Sequence, residues 1–60
     1  MRADIYYGNT FVYSVSGKIA ERRIKDKLKV LLPLMWDVAF NNLKRDKSIY
    51  VSEYKFTWEE

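Results

Sequence analysis

The sequence predicts a small α+β domain of order β-β-α-β. Its three-stranded antiparallel sheet is covered on one face by a long helix, kinked or broken at Pro33. Three observations carry that expectation. Side chains alternate in character through Arg2 to Tyr7 and again through Thr10 to Ser16, with Gly8-Asn9 between the two runs. From Lys18 the apolar period changes to that of a helix and holds to Arg45, interrupted only by Pro33. From Ser48 to Trp58 alternation returns in a run rich in aromatic and β-branched residues.

The first two runs read as a hairpin. Gly and Asn tolerate positive φ, so Gly8-Asn9 suits a two-residue connection. Strict alternation sets Ala3, Ile5 and Tyr7 on one face of the first strand. Phe11, Tyr13 and Val15 share a face of the second, with Thr10, Val12 and Ser14 on the other. Ser16-Gly17 closes the hairpin, and the Ser16 hydroxyl is a candidate N-cap for the helix.

Ile24, Leu28, Leu31, Met35, Val38 or Ala39, and Asn42 or Leu43 step by three and four, and so mark the core stripe of the helix. Glu21 with Lys25, and Arg22 with Asp26, are i,i+4 pairs on the solvent side. Pro33 removes a backbone donor and clashes with the preceding turn. It therefore kinks the segment or opens a new helix. Length demands some such bend. Lys18 to Arg45 as one straight helix would run about 42 Å, against about 24 Å for a seven-residue strand.

Asn41-Asn42 and Lys44 to Lys47 end the helical region, and Ser48 to Trp58 reads as the third strand. The simplest sheet order is 2-1-3, with a right-handed crossover from strand two to strand three. Read as one strand, the last run puts Tyr50, Tyr54, Phe56 and Trp58 on the helix side with Ile5, Phe11, Tyr13 and Val15. Ile49 and Val51 fall on the opposite side with Tyr6 and Val12, which makes that face unusually apolar.

Residues 1–60 make a single small domain. A chain of this length hides only about 60% of the surface it exposes when unfolded. With no cysteine there is no disulfide to help, so a homo-oligomer is expected. Aromatics at 17% argue against disorder. No stretch has the roughly 20 apolar residues of a spanning helix, and no apolar leader follows Met1. The expected location is the cytoplasm, of a cell or of an infected host.

Catalysis at neutral pH draws mostly on His, Cys or a bound metal. The chain has neither residue. Its two glycines cannot build a phosphate loop, and no cofactor is implied. Asp37, between Trp36 and Val38, reads as an exposed anion near a helix start. No enzymatic activity is expected.

Two candidate surfaces remain. Trp36, Phe40 and Leu43 make the second half of the helix apolar nearly all round, more than one sheet face can cover. Together with Val12, Ile49 and Val51 they suggest a protein interface, for a partner protein or a second copy. The leading expectation is thus a small non-enzymatic binding or regulatory protein, an inhibitor or modulator of a larger one. The alternative is nucleic-acid binding. Lys18, Arg22, Lys25 and Lys29 follow i, i+4, i+7, i+11 spacing and fall within about 60° of helix arc. Phosphate contacts need only such charges.

Overall fold

The computed structural model describes every residue from Met1 to Glu60. The fold is α+β, with element order β1 (Arg2–Tyr7), β2 (Thr10–Ser16), α1 (Ile19–Leu31), α2 (Trp36–Asp46), β3 (Ser48–Val51) and β4 (Tyr54–Glu59). The strands form one four-stranded sheet of order β2-β1-β4-β3, every neighbouring pair antiparallel. Both helices pack on the same face.

The first hairpin has the expected bounds. Gly8 supplies the positive φ (61°) that its two-residue connection needs. Between Ile5 and Tyr6 the register slips, so that Ile5 faces Tyr13 but Tyr6 faces Phe11. That bulge leaves Val12 as the extra residue on β2. It also inverts the parity of the strand tip. Phe11 joins Tyr6 on the open face of the sheet, their rings 5.7 Å apart edge to face, and not Tyr13 on the helix face.

The expected third strand is two strands. Ser52 takes a left-handed φ of 55° and turns the chain, with Val51 opposite Tyr54. A two-residue turn reverses direction and keeps both flanking residues on one face. In a continuous strand, residues three apart would lie on opposite faces. Ile49 and Val51 therefore join Phe56 and Tyr54 on the helix side, while Tyr50 faces out beside Lys55. The three-strand order 2-1-3 becomes 2-1-4-3, with β4 in the slot beside β1. β2 and β3 occupy opposite edges and run in opposite directions, so the handedness expectation for a parallel crossover does not apply.

The long helix is two shorter ones. Leu32, preceding Pro33, sits at φ −133° and ψ 76°, outside the helical region as a pre-proline residue prefers. Leu32 to Met35 form the turn, and Trp36 opens α2. Pro33 thus lies in the connection and not in the first turn of α2. The break resets the helical phase. In α1 the buried positions are Ala20, Ile24 and Leu28; in α2 they are Phe40 and Leu43. Met35, expected on the core stripe, is exposed, and of Val38 or Ala39 it is Ala39 that packs against the core. Ser16 caps nothing: it ends β2, and the N-cap position of α1 is Lys18, with no side-chain hydrogen bond.

The core joins Ala3 and Ile5 from β1, Phe56 and Trp58 from β4, Val51 from β3, and the five buried helix residues. No polar side chain is buried. Phe40 meets Trp58 edge to face at 5.5 Å, which docks α2 on the centre of the sheet. Lys47 closes α2 in a left-handed conformation (φ 70°), and its carbonyl accepts from the Trp58 N–H at 2.8 Å. At the far end of the sheet the Gly8 N–H donates to the Glu53 carbonyl at 2.8 Å and ties the two hairpin turns together.

Candidate functional site

Of the six residues expected to form a protein interface, five are used by the monomer itself. Phe40, Leu43 and Val51 are buried in the core, and Trp36 and Ile49 pack half-buried against it. Only Val12 is exposed, on the bulge of β2, away from the others. The apolar excess of α2 is absorbed because the chain turns at Leu32 to Met35 and lays α2 across β4 and β3. The six do not form one accessible surface.

The basic residues do come together. Lys18 stands at the N-cap of α1, and Arg22, Lys25 and Lys29 follow along its outer side. All four line one shallow depression, with Glu21 and Asp26 between them and no apolar side chain. The Lys25 ammonium lies 3.1 Å from the Glu21 carboxylate, an exposed pair worth about 0.3–0.5 kcal/mol. The same ammonium sits 5.1 Å from the centre of the Phe40 ring. Lys29 lies 4.6 Å over the Trp36 ring. Lys44 of α2, which sequence spacing did not single out, approaches Phe40 at 5.5 Å and so joins the same side of the helix layer. These contacts hold the lysine stems over aromatic surface while their charged ends stay at the solvent boundary.

Charge is unevenly distributed. Between Lys18 and Leu31 six cationic side chains stand against two acidic ones, a net +4; the rest of the chain carries five against six. On the open face of the sheet Arg2 is paired to Asp4 at 3.1 Å. Phe11, Tyr6 and Tyr50 cross that face with Lys55 between the two tyrosines, its ammonium 5.7 Å from the Tyr50 ring. The aromatic row would suit stacked bases, but Asp4 and Glu59 balance Arg2 and Lys55 there and deny that side the positive field a polyanion requires.

The carboxylates show no catalytic arrangement. Asp37 is exposed in the first turn of α2, where its Oδ1 accepts from the Val38 N–H at 2.9 Å. Hydrogen bonds from Arg45 hold the exposed Asp46 carboxyl below its usual range. The Trp58 indole N–H donates to Glu60 at 3.0 Å and lowers that carboxyl as well. No group of three carboxylates is placed to hold a metal ion. Neither helix is long and apolar enough to cross a membrane.

Sequence spacing alone missed two features. One is the uncharged free edge of β2, although the expected order 2-1-3 also leaves that strand at an edge. The other is the stripe Ile19, Arg23, Asp26 and Val30, on the opposite flank of α1 from α2. No protein-family model, curated protein or solved structure matches the chain.

Proposed function

We propose that this is a small non-enzymatic binding protein, and that it binds the phosphate backbone of nucleic acid with the outer side of α1. The observation that carries this reading is the charge separation: a net +4 gathered on one thirteen-residue helix and its N-cap. Lys18, Arg22, Lys25 and Lys29 are the contact residues, with Lys44 beside them. Their axial steps along the helix are about 6, 4.5 and 6 Å. Backbone contacts of this kind give affinity without sequence preference.

Fluorescence anisotropy with labelled 20-nucleotide single strands and duplexes tests it. Four neutralised phosphates on a duplex imply a salt slope of about −3.6, so doubling the salt should weaken binding about twelvefold. Replacing Lys18, Arg22, Lys25 and Lys29 together with Glu should abolish binding. Full affinity in that variant, or binding indifferent to salt, would defeat the reading.

A second reading has its own observation. Leu34, at the apex of the turn between the helices, is 90% exposed, with Met35 and Val38 also exposed nearby. An apolar corner of this kind suits the anchor of a partner protein, the regulator or inhibitor class of function. Under that reading Leu34→Asp releases a nuclease-resistant partner from lysate pull-downs, and the charge reversals do not.

A further inference from the structure

β2 has β1 on one side and nothing on the other. Its seven residues, Thr-Phe-Val-Tyr-Ser-Val-Ser, contain no charge and no proline. Folded proteins usually defend a free edge with short strands, lysines, prolines or bulges. The opposite edge follows that habit: β3 has four residues, with Lys47 before it. The only defence on β2 is the bulge at its first end, and from Tyr13 to Ser16 the strand is regular. Left open, such a run invites strand pairing of any kind.

Above this edge lies the flank of α1 that faces away from α2. Ile19, Arg23, Asp26 and Val30 repeat at i, i+4, i+7, i+11 and line one surface depression with Tyr13 of β2. A rotation of about 100° on the helix separates them from the basic stripe. Ile19 and Val30, at the two ends, are 54% and 76% exposed.

We propose that this side of the molecule is a two-fold interface with a second copy of the same chain. β2 pairs antiparallel with β2 of the second copy, and the two sheets become one continuous sheet. The two α1 helices run antiparallel above the seam. The stripe is self-complementary in that arrangement, as an isologous contact requires. A two-fold axis level with the midpoint of Ile24 and Lys25 sets Arg23 opposite Asp26 of the second copy, and the reverse. The same axis sets Ile19 opposite Val30 at both ends. Tyr13 is the middle residue of β2, so the two tyrosines meet beneath the helix pair. Other charges near this flank are Arg22 and Lys27. Both line the same depression at its margins: Arg22 also borders the basic depression, and the Lys27 ammonium lies 4.7 Å over the Tyr54 ring. Arg23 and Asp26 supply the opposite-charge pairs of the seam, with Arg22 and Lys27 at its margins. An unrelated strand would satisfy the β2 backbone, but it would leave this helix stripe unmatched. The dimer also sets two basic stripes side by side on the helix layer.

Sedimentation at about 100 μM is the test, with two kinds of variant. The wild type is expected at twice the 7.2 kDa chain mass. The Gly17 N–H bonds to the Met1 carbonyl, so antiparallel alternation points the Ser14 N–H away from β1. Ser14→Pro then removes an edge donor and spares the monomer's own ladder; it should sediment as a monomer with unchanged circular dichroism. Arg23→Asp and Asp26→Arg, at exposed helix positions, should each weaken the dimer at least tenfold, and the double variant should restore it. A single 7.2 kDa wild-type species overturns the proposal. So does a dimer that the single reversals leave intact, or one that the double variant fails to restore.

Discussion

Phe56 is the residue on which most of the core converges. It is fully buried, with Ile5 of β1 on one side and Ile49 of β3 on the other. A domain of this size is stable by only about 3–9 kcal/mol. Phe56→Ala should cost about 3–5 kcal/mol, a large share of that total, measured by urea denaturation. A subtler residue-scale effect belongs to Glu60. Its carboxyl is lowered chiefly by the hydrogen bond from the Trp58 indole. Because the folded pKa is depressed, that contact is fully present above the ordinary glutamate pKa and is lost as pH falls through the folded value. Trp58 fluorescence should therefore shift in acid below the ordinary glutamate range, and Glu60→Gln should remove that step. Residue identity also explains what the sequence hid. Ser52-Glu53 is not a pair that announces a turn, yet Ser52 adopts positive φ there. One unmarked turn reversed the facing of Ile49, Tyr50 and Val51, and one unmarked bulge reversed that of Phe11.

At the scale of elements, local chemistry decided what was legible. The strand bounds of the first hairpin could be read to the residue because Gly8-Asn9 punctuates two alternating runs. The helix break could be placed at Pro33, but which residues followed in phase could not. A turn of free length lies between α1 and α2, and periodicity carries no information across it. The basic stripe was legible because all four residues lie near or within one unbroken helix. Of the apolar residues expected at an interface, Ile49 and Val51 lie on a strand whose parity the turn at Ser52 inverted, and Trp36, Phe40 and Leu43 lie beyond the break that resets the helical phase. Two substitutions test the connections. Pro33→Ala should not fuse the helices, since Phe40 and Leu43 anchor α2 to the sheet. It should cost about 0.4–1 kcal/mol through a freer unfolded chain, with helix content by circular dichroism unchanged. Lys47→Gly should act in the other direction. A left-handed conformation costs an ordinary residue about 1–2 kcal/mol, and the added freedom of glycine returns about 0.5–1 of that to the unfolded state. A net gain of up to about 1 kcal/mol is expected in thermal denaturation.

At the scale of the whole molecule, folding and charge occupy separate parts of the structure. No charged side chain is buried, so the cations of α1 contribute little to the fold. Replacing Lys18, Arg22, Lys25 and Lys29 with Glu changes each charge by two and moves the net from +3 to about −5. At about 0.5 kcal/mol per surface change, the cost stays within about 2 kcal/mol. The variant should keep a cooperative melting transition, so its loss of binding would report on the surface and not on the fold.

The position of β1 and β4 side by side in the middle of the sheet governs the order of events during synthesis. Their pairing joins Arg2 to Glu59 and Ala3 to Trp58, nearly the full length of the chain. A nascent chain can close its first hairpin and form its helices early, but those pieces have no central seam to dock on until Tyr54 to Glu59 have left the ribosome. Closing so long a loop costs about 3–4 kcal/mol, repaid only when the core forms at once. The domain should therefore fold only once its last strand is available, and not progressively from the first hairpin onward. A chain halted before Tyr54 should stay sensitive to protease, however complete its hairpin and helices.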